Sequence, residues 1–356
     1  MTETRCDVLI IGMGPAGARA AEAAAQAGRS VIALDRRKRA GFPVQCAEFV
    51  PTLLGQELDG LGAVTAQPID EMVTYVSGET PHQKPHFPGN MISRDAFDAG
   101  LVKRAEDAGA DCRFGIAVAD VAADGAVRLT TGDVFRGRVL IGCDGPRSRV
   151  GRACGRVNED LVETRQVTVP LLRPHSATDI FLSADIPGGY GWLFPKGDIA
   201  HIGAGVTPTA RDKLKAIVDD LHQSLMAEDR VGADVMGHTG GAIPVGGMLD
   251  PVSALGDVPV LLAGDAAGLA NPVTGAGIAS AAQSGRLAGE AAAKLLAGDA
   301  GAAADYAEEL EDLFKPALDR ALKRRRELLD RFQAGGAPGA DDLRRGWIAY
   351  PEYWAA

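Results

Sequence analysis

Short apolar runs that end near glycine or aspartate recur along the chain, and small-residue segments follow them. Four of these runs predict buried strands: Val8–Ile11, Ser30–Leu34, Val139–Cys143 and Val258–Ala263. The alanine- and glycine-rich stretches after the first and the last of them are typical of closely packed helices. A strand, a glycine turn and a helix in succession indicate an α/β domain.

Shorter segments between these runs predict a second, mainly antiparallel sheet. They are Met72–Val76, His86–Ile92, Arg165–Leu172, Asp179–Asp185, Gly191–Pro195 and Ile199–Val206. Helices are predicted from an N-cap at Ser93 to Ala108, over Arg211–Glu228, and over Ala303–Phe332 with Pro316 as a break.

Composition excludes several classes of partner. Of the 356 residues, 46% are hydrophobic and 24% are charged, and the net charge of −10 disfavours a nucleic-acid partner. No apolar run reaches the ~18 residues of a membrane span, and the first residues lack the basic region of a signal peptide. The five scattered cysteines have no metal-ligand spacing. We therefore expect a cytoplasmic protein without a metal site.

A dinucleotide-binding motif follows the first predicted strand. The glycines of Gly12-x-Gly14-x-x-Gly17 permit a tight turn, close approach of the backbone to a diphosphate, and close packing of helix on strand. Asp35 ends the next strand, where an acid binds the adenosine ribose and disfavours a 2′-phosphate. The predicted cofactor contacts here are Gly12, Gly14, Pro15, Ala16, Gly17, Asp35 and Arg36. Both FAD and NAD satisfy this motif.

Two later strands also deliver an acid next to a glycine, at Asp144-Gly145 and at Gly264-Asp265. After the second pair, Pro272 and Gly275-Ala276-Gly277 lead into a helix from Ile278. A carboxylate accepts hydrogen bonds from ribityl hydroxyls, and the free N–H groups of a helix N-terminus face negative charge on a ring. Strand ends that converge on one extended ligand favour FAD, because NAD has no ribityl chain for Asp265.

With these segments the chain resembles the geranylgeranyl reductase family, within the para-hydroxybenzoate hydroxylase-like flavoproteins. The matching stretches are Gly12–Gly17, Arg94 with Phe97-Asp98, Asp144-Gly145, Tyr190–Asp198, and Gly264–Gly268 with Pro272 and Gly275–Gly277. The resemblance implies FAD bound along a Rossmann domain, with its ring at the wall made by the sheet over residues 188–205. We also predict cofactor contacts at Cys46, Ala47, Arg94 and Val118.

The chain departs from the family pattern in two places. The loop cysteine of the family is usually followed by glycine, whereas here Ala47 follows Cys46. The chain is also shorter than members whose C-terminal region encloses a prenyl tail, so the resemblance leaves the length of an isoprenoid substrate open.

The expected fold class is α/β, with a Rossmann-type FAD-binding domain interleaved with a mixed α+β substrate domain, followed by C-terminal helices. The FAD-binding segments are predicted at 1–70, 93–155 and 251–298, the substrate domain at 71–92 and 156–250, the C-terminal helices at 299–332, and a linker with an aromatic tail at 333–356.

Three functions are compatible with these motifs. In the first, NAD(P)H reduces FAD, which then reduces an activated C=C bond of an apolar or isoprenoid substrate. In the second, the flavin and O₂ hydroxylate an aromatic ring, small or carried on a peptide. In the third, the flavin passes electrons to a partner, although no iron–sulfur cysteine pattern is present. The predicted catalytic residues are Cys46, Glu48 and Tyr190, which supply or relay a proton, and Trp192 in the aromatic wall.

Two C-terminal features predict contacts away from the cofactor. Lys323–Arg326 is interpreted as a solvated helix face or, alternatively, as a docking patch for anionic lipid or an acidic partner. The aromatic tail Trp347–Trp354 must pack on the protein's own body, a second subunit or a partner. Peripheral membrane association is therefore an alternative to a purely cytoplasmic location.

Overall fold

The computed structural model describes residues 3–52, 61–77, 79–333 and 336–355. Within those ranges, no helix has both the length and the apolar character needed to cross a bilayer. The strands are β1 (Glu3–Ile11), β2 (Val31–Asp35), β3 (Phe49–Pro51), β4 (Thr65–Val76), β5 (His82–Ile92), β6 (Asp111–Phe114), β7 (Val118–Val121), β8 (Val127–Leu129), β9 (Val134–Gly142), β10 (Leu161–Pro170), β11 (Ala177–Leu182), β12 (Gly191–Lys196), β13 (Ile199–Val206), β14 (Gly237–Thr239), β15 (Ala242–Pro244), β16 (Val252–Leu255) and β17 (Val258–Leu262).

The helices are α1 (Pro15–Gln26), α2 (Leu61–Val64), α3 (Arg94–Asp107), α4 (Arg149–Ala153), α5 (Leu214–Ala227), α6 (Ile278–Leu296), α7 (Ala302–Gln333), α8 (Ala340–Arg345) and α9 (Pro351–Trp354). Short 3₁₀ helices span Pro208–Lys213 and Gly264–Ala267. The predicted α/β fold class is confirmed.

The first sheet has the strand order β16-β17-β9-β1-β2-β6, and β8 and β7 extend it from β9. Strands β17, β9, β1, β2 and β6 are parallel. All five side chains of β2 are buried, as are those of Val8–Ile11 in β1, which explains why these strands are continuous apolar runs. α6 packs on α1 through glycine: a Cβ atom at Gly285 would lie 2.0 Å from the Ala16 carbonyl oxygen.

The second sheet has the order β14-β10-β13-β12-β11-β4-β5-β3, with β15 also paired to β10. Its pairs are antiparallel except for β11 with β4. One face packs against α5, where Leu214, Val218 and Leu225 meet Val167 and Ile202. The opposite face carries a second apolar cluster, which reaches the loops of the first sheet.

Several strand bounds differ from the predicted ones. β4 begins at Thr65 rather than Met72, so that it crosses residue 70, and β3 also belongs to the second sheet. β4 is irregular, with register shifts against β5 near Gln67 and Asp70, and this breaks the alternation that a sequence pattern can detect. The assignment of residues 1–70 to one domain stays a prediction.

The predicted helix break at Pro316 is wrong, because α7 is continuous from Ala302 to Gln333. Proline removes the hydrogen bond to the carbonyl four residues earlier, which belongs to Asp312. Both residues lie on the exposed side of α7, where water can satisfy the free carbonyl.

The interpretation of Lys323–Arg326 as a solvated face holds for only half of the run. Lys323 and Arg326 are exposed, whereas Arg324 is 2% exposed and Arg325 is buried. The Arg324 Nε donates to the Tyr353 carbonyl at 2.9 Å, and the Arg325 guanidinium donates to the Gly188 carbonyl. These two charges therefore bind backbone within the protein instead of facing an external surface.

The aromatic tail packs on the protein's own body. In the C-terminal segment, defined as residues 340–355, Leu343, Trp347 and Tyr350 are buried in the same cluster as Met72 and Val76 of β4. Of the four aromatic side chains in Trp347–Trp354, three are buried and Trp354 is 54% exposed.

Candidate cofactor site and active site

Three loops of the first sheet leave the same edge. β1, β9 and β17 are parallel neighbours, and Gly142 of β9 lies in register with both Ile11 and Leu262. The chain continues from these ends into Gly12–Gly17, residues 143–148 and Ala263–Gly268. The carboxyl ends of parallel strands are the usual position of a nucleotide ligand in such a sheet.

The glycine motif combines close packing with an open site. A Cβ atom on Gly12 would lie 2.2 Å from the Cys143 carbonyl oxygen, and one on Gly17 would lie 1.8 Å from the Gly12 carbonyl oxygen. Around Gly14, by contrast, no atom lies within 4 Å of the added Cβ. α1 begins directly after Gly14 at Pro15, and no side chain caps it. Pro15 has no N–H group, so the free amide of Ala16 in the first turn of α1 is available to a diphosphate.

Asp35 lies at the end of β2 and is held as an acceptor. Its Oδ2 accepts hydrogen bonds from the Met13 amide and from the Arg37 guanidinium, both at 2.8 Å. Burial opposes ionisation, but Arg37 and the amides outweigh it and lower the pKa of Asp35. The predicted contact Arg36 is exposed, so the arginine that organises this carboxylate is Arg37, which sequence reasoning missed.

The carboxylate of Asp144 is already engaged within the protein. It accepts from the Ser148 hydroxyl and from the amides of Arg149 (2.6 Å) and Val150 (3.3 Å) at the start of α4. Burial raises its pKa despite these donors. The adjacent Gly145 has open space where a Cβ would stand, so we expect backbone at this loop, rather than the Asp144 carboxylate, to face the cofactor.

Asp265 presents the opposite situation. Within the described ranges, no group donates a hydrogen bond to its half-buried carboxylate. Burial raises the pKa of Asp265 to about 6, against the attraction of Arg94. A buried acceptor without a donor is unfavourable unless a ligand satisfies it. The hydroxyls of a ribityl chain would do so.

The N-terminus of α6 lies beside Asp265, as predicted. Gly277 is the N-cap residue and no side chain caps the helix. A Cβ atom added to Gly277 would lie 3.3 Å from Asp265 Oδ1. Gly275, Ala276 and Ile278 flank this terminus and are partly exposed. Free amides and the positive end of a 19-residue helix suit the anionic edge of a flavin ring.

The cysteine loop, residues 45–48, joins the two sheets through Glu48. The Glu48 carboxylate accepts from Lys196 Nζ at 2.7 Å, from His201 Nε2 at 2.8 Å and from the Arg94 amide at 2.8 Å. Burial opposes ionisation, but the His201 and Lys196 hydrogen bonds outweigh it and lower the pKa of Glu48 to about 2. Glu48 therefore favours its ionised form and accepts hydrogen bonds from three donors, and its role in supplying or relaying a proton stays a prediction.

Cys46 faces the start of α3. The Glu48 amide donates to Cys46 Sγ at 3.2 Å, and the half-buried Arg94 guanidinium forms an ion pair with Asp98, with Nε 2.7 Å from Oδ1. Burial lowers the pKa of Arg94, but Asp98 and Cys46 outweigh it and raise the pKa overall. Arg94 thus places a fixed positive charge between the cysteine loop and Asp265.

The aromatic wall, defined as Tyr190, Trp192 and Phe194, lies on the face of the second sheet opposite α5. The Tyr190 hydroxyl donates to the Thr274 carbonyl at 2.6 Å, in the loop before α6. Trp192 Nε1 donates to Gln166 Oε1 at 3.1 Å. Burial raises the pKa of Tyr190, and its hydroxyl is committed to a carbonyl, so Tyr190 positions the loop instead of storing a mobile proton.

The structure brings most predicted residues together and places two at the margin. Ala47 belongs to the apolar cluster of the aromatic wall. The side chain of Val118 is buried in β7, so only its backbone can contact a ligand. Sequence reasoning missed Lys196, His201 and Gln166 as partners of the cysteine loop. A lysine at the end of the apolar strand β12 and a histidine inside the apolar strand β13 are the signal for two of them, whereas Gln166 lies among other polar residues of β10 and carries no such signal.

The groups at this edge fit FAD. The uncapped start of α1 and the open side of Gly14 suit the diphosphate, Asp35 suits the ribose, and the unsatisfied Asp265 suits the ribityl chain. NAD would leave Asp265 and the α6 terminus without a partner.

Comparisons with known proteins agree with this geometry. Residues 7–180 match the FAD binding domain family. The chain is 32% identical over 294 residues to digeranylgeranylglycerophospholipid reductase of Methanosphaerula palustris, an alignment that covers 77% of this chain and 72% of the relative. It is 34% identical over 294 residues to digeranylgeranylglycerophospholipid reductase 2 of Methanopyrus kandleri, with coverage of 76% and 72%.

Solved structures show the same fold. A geranylgeranyl bacteriochlorophyll reductase-like protein from Thermoplasma acidophilum aligns with a TM-score of 0.81 at 24% identity, over 99% of this chain and 98% of that one. PqsL of P. aeruginosa, in complex with 2-aminobenzoylacetate, aligns with a TM-score of 0.70 at 20% identity, over 93% and 97%. The solved structures show the fold, and the sequence relatives identify the family. The protein is an FAD-dependent oxidoreductase and belongs to the geranylgeranyl reductase family.

Proposed function

We propose that the protein reduces a C=C bond of an isoprenoid substrate with electrons that NAD(P)H delivers through FAD. The observation that carries this proposal is the apolar cluster of the aromatic wall, which includes Ala47 of the cysteine loop and Val273 of the loop before α6. A largely hydrocarbon substrate held there lies between the two loops that border the cofactor site. The names of the relatives, which are reductases of digeranylgeranyl lipids, support the same substrate class.

When bound, reduced FAD supplies a hydride for the alkene. The residues of this chain then have three tasks: to hold the ring, to exclude water from the alkene, and to provide a proton. The α6 terminus and Asp265 hold the cofactor, with each helix-dipole contact contributing about 0.3–2 kcal/mol. Trp192 and Phe194, both 6% exposed, exclude water.

Cys46 is the proton donor that we favour among the predicted residues. Glu48 is ionised, and the Tyr190 hydroxyl is bonded to Thr274, which leaves the half-buried Cys46 thiol near the Arg94 charge. Glu48 acts on Cys46 as a positioning residue, because its carboxylate fixes the loop to Lys196 and His201 while its amide binds the thiol.

The test is turnover without oxygen. The FAD-loaded protein would be reduced anaerobically and mixed with geranylgeraniol, and the product analysed by mass spectrometry. Gain of two hydrogen atoms with reoxidation of the flavin is the expected result. Product that forms only with O₂, and that gains one oxygen atom, would instead support the hydroxylase alternative, whose fold the chain shares with PqsL.

A further inference from the structure

One side-chain amide lies between two of the loops that form the cofactor edge. Asn158 Nδ2 donates to the Pro146 carbonyl at 3.1 Å and to the Asp265 carbonyl at 2.9 Å. Pro146 belongs to the loop after β9, and Asp265 belongs to the loop after β17. Asn158 lies on neither loop, so its amide joins three separate parts of the chain.

The two partners fix the orientation of this amide. Both are carbonyl oxygens, which only accept hydrogen bonds, so the nitrogen of the Asn158 carboxamide faces them. The Oδ1 atom is buried and has no donor in the described part of the chain. A buried acceptor without a donor lowers stability, and a leucine of similar size would avoid that loss. The two bonds that Nδ2 donates are thus the contribution that an amide makes here and a leucine cannot.

Asn158 lies on one of the segments that connect the two sheets. The chain passes from α4 to β10 of the second sheet through residues 154–160, and it returns to β16 of the first sheet through residues 245–251. These two segments are joined, because the Val245 amide donates to the Asp160 carbonyl at 3.0 Å. Asn158 is therefore anchored where both connections meet.

The returning connection holds the loop after β17 at its far end. The Leu249 amide donates to the Ala267 carbonyl at 3.0 Å. A Cβ atom added to Gly268 would lie 2.2 Å from the Gly247 carbonyl oxygen and 3.1 Å from Asn158 Oδ1. The backbone of this loop is thus packed against both connections between the sheets.

We propose that Asn158 is a positioning residue for FAD, which fixes the spacing between the loops after β9 and β17 and so places the Asp265 carboxylate for the ribityl hydroxyls. No group in the described ranges donates to that carboxylate, so its position depends on the backbone of its loop. The proposal goes beyond the proposed function, because it requires FAD binding and is independent of the substrate.

The experiment measures FAD binding to the full chain, as apoprotein, in the wild type, N158L, D265A and the double variant. Quenching of flavin fluorescence gives the dissociation constant. N158L should raise it at least about fivefold, because two neutral hydrogen bonds are lost. In the D265A background the same change should raise it less than about twofold, because the carboxylate that Asn158 positions is absent.

The matched control is His222→Leu on α5, whose ring bonds to the Gly232 carbonyl at 2.9 Å on the face of the second sheet opposite the aromatic wall. It removes a comparable bond from side chain to backbone and should leave the dissociation constant unchanged in both backgrounds. An unchanged constant in N158L overturns the inference. An equal fold change with and without the Asp265 carboxylate also overturns it, because a general loss of structure acts independently of that group.

If N158L does not fold, as judged by circular dichroism, N158D decides. It keeps the shape of the side chain and replaces the two N–H donors with an acceptor that repels both carbonyls. The dissociation constant of N158D should therefore rise at least about fivefold, again with the smaller effect in D265A. Failure of both variants to fold in excess FAD would show that Asn158 holds the fold as a whole, and would overturn its role toward the cofactor.

Discussion

Asp265 and Glu48 are carboxyls that border the same site, and their surroundings shift their pKa values in opposite directions. The Asp265 carboxylate is half-buried and accepts no hydrogen bond from the described residues, and its partial burial raises its pKa to about 6. Glu48 is buried with three donors, which outweigh burial and lower its pKa to about 2. An acceptor without a donor can be satisfied by a ligand, whereas the Glu48 carboxylate already has three donors. We therefore expect Asp265 to bind the cofactor and Glu48 to position the loop.

Replacing Asp265 should weaken cofactor binding. Asp265→Ala removes the acceptor for the ribityl hydroxyls, and a hydrogen bond to a charged group contributes about 1.5–3 kcal/mol, or roughly 10- to 100-fold in the FAD dissociation constant. Equilibrium titration of the apoprotein with FAD measures this. Asp257→Ala, in the exposed turn between β16 and β17, is the control. Equal affinity in Asp265→Ala and the wild type would remove Asp265 from the cofactor site.

Replacing Glu48 should destabilise the protein far more than replacing an exposed partner. Glu48→Gln leaves Lys196 and His201 without their carboxylate, and breaking a buried ion pair costs about 3–5 kcal/mol. The exposed pair of Lys215 with Asp219 on α5 provides the control, because Asp219→Asn should cost no more than about 0.5 kcal/mol. Urea unfolding followed by fluorescence gives both values.

The pH dependence supplies a second readout for Glu48. Its pKa is lower in the folded state than the ordinary 4.5, so its stabilisation is complete above that value and is lost as pH falls toward about 2. The difference in the free energy of unfolding between the wild type and Glu48→Gln should decrease over this pH range. A difference that stays constant down to the lower limit would show that the ion pairs do not stabilise the fold.

At the scale of elements, α7 links the C-terminal segment to the second sheet. Two consecutive arginines on one helix bind two different parts of the chain, Arg324 the Tyr353 carbonyl and Arg325 the Gly188 carbonyl, just before Tyr190. Burial lowers the pKa of Arg325 to about 10, but the side chain remains charged near neutral pH. The basic run that the sequence analysis interpreted as a solvated face therefore binds backbone directly before the aromatic wall.

Removing one of these arginines should release the C-terminal segment. Arg324→Met loses charged hydrogen bonds to the Tyr353 and Ala355 carbonyls, each contributing about 1.5–3 kcal/mol, so cleavage near residue 340 under limited proteolysis should accelerate roughly tenfold or more. Lys323→Met and Arg326→Met, on the exposed side of the same helix, should leave the cleavage rate unchanged. Mass spectrometry of the fragments follows the reaction. Equal cleavage rates in all three variants would contradict the role of Arg324 in holding the C-terminal segment.

At the scale of the whole molecule, the ionised Asp265 carboxylate at the cofactor site lowers the stability of the apoprotein until FAD binds. The folded apoprotein raises the pKa of Asp265 above its ordinary 3.8, so it binds this proton more tightly than the unfolded chain does. Ionising Asp265 therefore destabilises the apoprotein as pH rises through 3.8 to about 6. FAD offsets this penalty by binding only the folded state.

Asp265→Asn should accordingly stabilise the apoprotein and reduce the increase in melting temperature that FAD produces. We expect the melting temperature of apo Asp265→Asn to exceed that of the wild type at about pH 7.5, with the gain vanishing below about pH 4. Added FAD should reverse the order. Scanning calorimetry at both pH values, with and without FAD, checks this, and a wild-type apoprotein that is the more stable at neutral pH would refute it.

The nucleotide-binding half of this protein could be predicted from the sequence, because the residues that define it lie close together along the chain. Gly12, Gly14 and Gly17 lie close together in the sequence. The short-range pattern also predicts the strand before them and the acid Asp35 after them. The neighbourhood of Asp265 and the α6 terminus was predictable for the same reason. The α/β class followed from the order of such units.

Which side chains of different elements meet depends on how the two sheets and α7 pack together. Glu48 meets Lys196 and His201 across about 150 residues of chain, and Trp347 meets Tyr190 across a similar separation. Whether Arg324 faces water or the protein depends on where α7 packs, and a run of four basic residues carries no such information. Charge pairing and ring packing over these separations are set by the fold, so the ion pairs of Glu48 and the buried contacts of Arg324 become visible only in three dimensions.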